Sequence, residues 1–275
     1  MKDSLTASRF RMKFKPNYIP HGNEENIFAH AFQEKIPVVL KGPTGCGKTR
    51  FIEHMAYTLD LPLITVSCHE DLTGGDLVGR FVFRNNETVW EDGPLTLAVR
   101  HGGLCYLDEI VEARNDTTVI IHSLTDDRRL LFIDKTREVL QAHEKFLMVL
   151  SYNPGYQNIM KDLKESTKQR FISLVFTHPD AQTEKKIIIS ESGTDEQTAG
   201  KLASLGEKIR NLKGYGLSEG VSTRLLVYAG RMIRSGVNPS AACRSAISDT
   251  LTDEQNMTSA LADIINLHFP AAEEK

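Results

Sequence analysis

Residues 42–49 read "GPTGCGKT", which puts Gly42, Gly47, Lys48 and Thr49 in the spacing G-x-x-x-x-G-K-[ST]. The chemistry open to such a segment is the binding of phosphate. Pro43, Thr44, Gly45, Cys46 and Gly47 form a loop that can wrap closely around phosphate oxygens, because Gly45 and Gly47 carry no Cβ. Backbone amides and a helix N-terminus add partial positive charge. Lys48 adds a full charge for the β- and γ-phosphates, and the Thr49 hydroxyl suits Mg²⁺. An apolar run, "PVVLKG" at 37–42, precedes the loop and a helical pattern at 47–59 follows it. That strand, loop and helix context makes the segment an ATP site rather than a chance glycine turn.

A second segment supplies acids. "LCYLDE" at 104–109 is an apolar strand pattern ending in two carboxylates, at the strand end where open α/β sheets place their ligands. We assign Asp108 to the magnesium ion and Glu109 to the attacking water. A kinase acting on a small acceptor needs no second acid here, whereas an ATPase needs a group to activate or orient water. The Asp-Glu pair therefore favours hydrolysis over transfer. Asn153 ends another strand pattern, "KFLMVLSYNP" at 145–154; it can hold the water or sense the γ-phosphate, or it can serve only the Asn-Pro-Gly turn. Arg170 in "STKQRF" and Arg224 in "VSTRLL" are permanently charged planar donors suited to a transferring phosphoryl group, or plain surface arginines.

These residues need a scaffold. Besides 37–42, 103–110 and 145–154, the runs "PLITVSC" at 62–68 and "ISLVFTH" at 172–178 read as strands. Helical patterns at 47–59, 94–101, 113–126 and 160–170 lie between them. Alternation of this kind predicts a parallel sheet flanked by helices. Beyond Pro179 the pattern is helical only: Leu202, Leu205, Ile209 and Leu212 share a face. Ser222 caps a helix ending near Gly236, Pro239 opens another, and Asp253 is the expected cap of the last, with Met257, Leu261, Ile264 and Ile265 on one side. The chain thus divides into a flexible basic arm at 1–16, an α/β nucleotide-binding domain at 17–178 and a helical lid at 179–275.

Two further stretches read as β-hairpins inserted in this frame. In "GRFVFRNNETVWEDGP" at 79–94, Asn85-Asn86 suits a tight turn between strands carrying Phe81, Phe83 and Trp90. In "LLFIDKTREVLQAH" two β-like runs flank Asp134–Arg137.

Composition sets the outer limits. Of 275 residues, 40% are hydrophobic and 25% charged, an ordinary globular balance, and the formal net charge of -3 speaks against nucleic acid or an anionic membrane surface as partner. No apolar run approaches a membrane span, and none follows the basic N-terminal residues as a secretory signal would require. Cys46, Cys68, Cys105 and Cys243 form no CxxC and no ligand spacing, so the expectation is a reduced, cytoplasmic protein without structural zinc.

The order of phosphate loop, Asp-Glu strand, Asn153 strand end, Arg170 and a helical domain opening with Arg224 resembles the AAA+ ATPase plan. The two hairpins resemble its MoxR branch. "KGPTGCGKTRFIEHMA", "PLITVSCHEDLTGGDLVGR", "WEDGPLTLAVRHGG", "CYLDEIVEARNDTTVIIHSL", "AHEKFLMVLSYNPGYQ" and "KDLKESTKQRF" are similar to the CbbQ/NirQ/NorQ family. One departure is "HGG" at 101–103, where that pattern has a bulkier residue after the first glycine. The resemblance implies a homo-oligomeric, hexameric ring with ATP at subunit interfaces. In it Arg170 is the finger reaching into the next subunit, Arg224 the sensor from the lid and Asn153 the polar sensor beside Glu109. It also implies a partner with a von Willebrand factor A domain and a client enzyme: inhibited Rubisco, or nitrite or nitric oxide reductase. A ring that moves a client needs a gripping surface. The hairpin residues Phe81, Phe83 and Trp90 either supply it or merely staple the hairpin to the body.

Overall fold

The computed structural model describes residues 9–154, 164–212, 217 and 219–270. Two compact units emerge, Met1–Gly42 with Gly47–Phe176 and Pro43–Cys46 with Thr177–Lys275.

The first unit is built on five parallel strands: β1 (Val38–Lys41), β2 (Leu63–Ser67), β5 (Gly103–Asp108), β8 (Phe146–Tyr152) and β9 (Ile172–Val175), in the order β2-β5-β8-β1-β9. The central strand β8 is buried at every residue, which is why its sequence is a continuous apolar run rather than an alternating one. Helices α1 (Glu24–Gln33), α2 (Lys48–Thr58), α3 (Gly74–Val78), α4 (Pro94–His101), α5 (Asn115–Ile121) and α6 (Glu165–Lys168) accompany the sheet. Pro94 opens α4, where its missing N–H costs nothing.

Register aligns the strand ends. Lys41 pairs with Tyr152, Leu107 with Leu150 and Ser67 with Asp108. The loop after β1, the acids at the end of β5 and Asn153 after β8 therefore emerge together at the C-terminal ends of adjacent strands. The "HGG" departure also has a physical reason. Gly103 has φ +122°, and a Cβ there would stand 2.6 Å from the Pro62 carbonyl oxygen, so a larger residue does not fit.

Both inserted hairpins are present, as β3 (Gly79–Arg84) with β4 (Glu87–Asp92) and β6 (Leu130–Ile133) with β7 (Glu138–Gln141), each paired only with itself. Asn85 and Asn86 have φ of 50° and 65°, the pair of positive values a two-residue primed turn demands.

Several local readings differ. The pattern at 113–126 resolves into α5 and a 3₁₀ turn at His122–Leu124. Of the helical pattern at 160–170, only Glu165–Lys168 is helical among the described residues; 160–163 lie outside them. Helices α1 and α3 were not anticipated, although Thr73 and Asp76 form a full capping box on α3. Before α1, Leu63 N–H donates to Phe10 O, and Phe10 packs against the core. Residues 1–8, the start of the expected flexible arm, lie outside the described set.

The second unit holds α7 (Ala181–Ser192), α8 (Glu196–Arg210), α9 (Thr223–Arg234), α10 (Pro239–Cys243), a π turn at Arg244–Ser248 and α11 (Gln255–His268). Ile188, Leu202, Leu205, Ile209, Leu226 and Ile265 form its core. Ser222 caps α9 by accepting from Leu225 N–H. Asp253 does not cap α11: the cap position is Glu254, whose side chain makes no capping bond, and whose N–H is taken by Thr252 Oγ1. Among the described residues no helix is long and apolar enough to cross a membrane.

Candidate active site

Between β1 and α2 the backbone turns through three glycines with positive φ: Gly42 (159°), Gly45 (70°) and Gly47 (102°). Gly47 is the residue preceding α2, so the free amides of the helix's first turn open beside it. No atom lies within 4 Å of the point where a Gly47 Cβ would stand. The glycine is therefore required by conformation and leaves open space in the loop, a cradle of the kind an anion fills. Lys48 is buried, and its Nζ donates to the Gly42 carbonyl at 2.7 Å, which closes the loop on itself.

Next to it stands an acid network. Asp108 ends β5, and its Oδ1 accepts from the Tyr106 hydroxyl at 2.7 Å and from Ser151 Oγ. Tyr106 OH in turn lies 3.5 Å from Thr49 Oγ1. Burial, and then the Asp108 charge, push the Tyr106 phenol well above its ordinary value, so it remains a donor. Both bonds fall on one oxygen of Asp108, Oδ1. Together with the Thr49 hydroxyl the carboxylate is a hard oxygen donor set of the kind Mg²⁺ prefers, and the residues fit the ion.

Glu109 follows immediately with φ 56°, a left-handed conformation uncommon for a non-glycine residue. Its N–H donates to Ser151 Oγ at 3.2 Å, the same hydroxyl that bonds Asp108. One serine thus sets both acids. The left-handed backbone turns the chain at Glu109 out of the line of β5. Strain at such a point is characteristic of sites where geometry matters. Asn153 follows β8 directly and is 3% exposed. A primary amide so deeply buried is satisfied by partners within the protein.

The arginines are placed differently. Arg170 Nη1 donates to the His122 carbonyl at 3.3 Å and lies 3.6 Å from Asp126 Oδ2, while Nε donates to Ser166 O. None of these partners belongs to the phosphate loop. Arg224 is exposed in the first turn of α9. Phe81 and Phe83 are 50% and 72% exposed, but Trp90 is partly buried against the core and stacks edge-on with Phe81 at 5.2 Å. Of the three aromatics, Trp90 is the staple, while Phe81 and Phe83 remain largely exposed, Phe81 with its ring edge against Trp90.

Tyr106 and Ser151 were missed by sequence reasoning. Tyr106 was within reach, since residues two apart on a strand share a face. Ser151 was not, because its place depends on β8 lying beside β5.

A parallel sheet with this loop and these paired acids defines a P-loop ATPase of the AAA class. Residues 37–171 match the AAA domain (dynein-related subfamily), and residues 184–268 match the CbbQ/NirQ/NorQ C-terminal domain. Three relatives extend the match along most of the chain. The "Denitrification regulatory protein NirQ" of Stutzerimonas stutzeri is 51% identical over 92% of this chain and 92% of its own. "Protein CbbQ" of Hydrogenophilus thermoluteolus is 53% identical over 92% and 95%. "Protein NorQ" of Paracoccus denitrificans is 53% identical over 90% and 92%. The chain belongs to the CbbQ/NirQ/NorQ family of AAA ATPases. In fold it is also similar to a proline-to-glycine variant of RuvB from Thermotoga maritima, at TM-score 0.56 and 16% identity over 93% of this chain and 74% of that one.

Proposed function

We propose that this ATPase is a cytoplasmic remodelling machine that activates a client enzyme, with inhibited Rubisco as the client. It works as a homo-oligomeric, hexameric ring together with a partner carrying a von Willebrand factor A domain. The observation that carries the catalytic part is the shared serine. Ser151 holds Asp108 and the Glu109 backbone at once, so the two acids keep separate tasks at the strand edge where the phosphate loop also ends.

In this reading the residues from Gly42 to Gly47 wrap the phosphates, and Lys48 exchanges its bond to the Gly42 carbonyl for the β- and γ-phosphate oxygens. Mg²⁺, when bound by Thr49 and Asp108, supplies charge to the same oxygens. Glu109 orients and deprotonates water, and Asn153 holds that water or reads the γ-phosphate. Arg170 acts in a neighbouring subunit's site, where a planar cation at the transferring phosphoryl group is worth roughly 10³–10⁵ in rate. Arg224 senses nucleotide from the lid. Head-to-tail ring contacts are heterologous, which makes a catalytic group supplied in trans geometrically natural.

Phe81 and Phe83 are the client-gripping groups. Replacing both with Ala tests this: retained basal ATPase together with retained client activation would discard it. The Stutzerimonas relative is a denitrification regulatory protein, and on that analogy the second candidate client is nitrite or nitric oxide reductase. Mixing the chain and ATP with inhibitor-bound Rubisco, with and without the candidate partner, and following carboxylation decides for the first. Restored activity of inactive reductase under the same conditions, with none for Rubisco, decides for the second.

A further inference from the structure

Two-stranded hairpins are barely stable alone, and neither hairpin here shares a strand ladder with the main sheet or with the other. Leu131, Ile133 and Trp90 pack them on the core, and polar side chains at their bases complete the anchoring. One side chain reaches both. Arg100, in the last turn of α4, donates from Nε to Asp92 Oδ2 at 2.9 Å, at the end of the first hairpin. Its other two nitrogens fork onto Glu138, at the start of the second hairpin's return strand, at 2.7 and 2.9 Å. Asp92 is engaged on its other oxygen too, accepting from Trp90 Nε1 at 2.6 Å. An unbroken chain of polar contacts therefore runs from Trp90 through Asp92 and Arg100 to Glu138.

The geometry points to Arg100 as a positioning residue that couples the two inserted hairpins, so that a displacement at one is transmitted to the other. The guanidinium is planar and all three of its nitrogens are engaged. It cannot follow Glu138 without turning its Nε edge against Asp92, and Asp92 carries the indole of Trp90 with it. The side chains are partly shielded, with Arg100 31% and Asp92 17% exposed, so the contacts are less screened than a freely solvated surface pair. Glu138 holds its proton less tightly than usual because Arg100 bonds to it. None of the polar partners of Arg100 lies in the phosphate loop or at the strand-end acids. The consequence for a client rests on the proposed gripping role of the first hairpin; the coupling itself does not.

Trp90 is the only tryptophan, which makes the test direct. The intact chain is compared with Glu138→Gln, Arg100→Lys and, as a charge control on an exposed residue outside the chain of contacts, Glu144→Gln. Circular dichroism checks the fold of each. If the hairpins are coupled, removing a charge on the second hairpin exposes the indole of the first: acrylamide quenching of Trp90 rises about twofold in Glu138→Gln and Arg100→Lys and is unchanged in Glu144→Gln. Quenching of folded Glu138→Gln equal to that of the unaltered chain overturns the proposal, and so does unchanged quenching in Arg100→Lys, because the guanidinium would then not hold Asp92 and the indole it carries. Basal ATP turnover is followed alongside. Raised quenching with lost client activation supports both coupling and grip, whereas raised quenching with full activation keeps the coupling and removes the grip.

Discussion

Tyr106 donates its hydroxyl to Asp108 Oδ1 over 2.7 Å from two positions earlier on the same strand. The bond orients the carboxylate, and because the phenol stays protonated it does so at every working pH. Removing a partner that orients a metal-binding carboxylate typically costs 10–100-fold in metal affinity or activity. Tyr106→Phe keeps the ring and its packing. We expect it to raise the magnesium concentration for half-maximal ATPase by roughly tenfold. An unchanged magnesium titration would show that Ser151 alone sets Asp108.

Glu109→Gln tests the water-activating role. The amide keeps the size of the side chain and cannot take a proton, so turnover should fall by about 10²–10⁴ while ATP binding persists. Lys48→Ala should instead lose binding as well as turnover, because the cation bonded to Gly42 O is the loop's own full charge. Equilibrium nucleotide binding measured beside phosphate release separates the two. Either variant turning over ATP at the unaltered rate would remove that residue from the mechanism.

Arg170 allows a test of action between subunits. Alone, Arg170→Ala should bind ATP and lose hydrolysis by roughly 10³-fold or more. Mixed with Glu109→Gln subunits, it should recover activity, because some interfaces then pair an intact Glu109 with an intact Arg170. Random mixing at equal amounts restores about one quarter of the interfaces. No recovery in the mixture would place Arg170 and Glu109 in the same subunit's chemistry or outside it.

Much of this site was legible before any coordinates. The phosphate loop, the acids ending "LCYLDE" and the five strands each follow from a local pattern, since a continuous apolar run and a glycine-spaced loop carry their own structural meaning. What was not legible depends on pairing between distant segments. Ser151 gains its role only when β8 lies beside β5, and Arg100 only when α4 brings Asp92 and Glu138 to one guanidinium. The left-handed backbone at Glu109 has no glycine to announce it. Asp253 failed as a cap because sequence spacing alone does not choose between adjacent starts one residue apart.

In the helical unit, Glu184 is fully buried and takes both terminal nitrogens of Arg210, at 2.8 and 2.5 Å, and the Thr223 hydroxyl at 2.6 Å. Arg210 Nε also holds the Val221 carbonyl, so the pair pins the start of α9, the turn that carries Arg224. Breaking a buried pair leaves a charge without its partner and costs about 3–5 kcal/mol. Glu184→Ala should therefore lower the unfolding free energy by about 3–5 kcal/mol, seen as a fall in the urea midpoint. A shift within error would mean Arg210 finds water when Glu184 is gone.

Alkaline pH should weaken the fold through its thiols. Burial, and then the charges of Asp108 and Glu109, push Cys68 from the ordinary 9.0 up to about 12; burial alone does the same for Cys243, and burial with Cys68 beside it for Cys105. The unfolded chain releases these protons near pH 9, whereas the folded chain keeps them until about 12. Above pH 9 the folded state binds more protons than the unfolded one, so raising the pH favours unfolding. The stabilisation is complete below about 9 and is lost across the window up to about 12, at about 1.4 kcal/mol per pH unit for each thiol. Urea midpoints measured at about pH 8 and about pH 10.5 should show the drop, and Cys105→Ala should flatten it by the share of one thiol. The same burial predicts that iodoacetamide labels none of these three thiols in the native protein and all of them in urea. A midpoint flat across that range, or rapid native labelling, would show that these thiols are open to solvent.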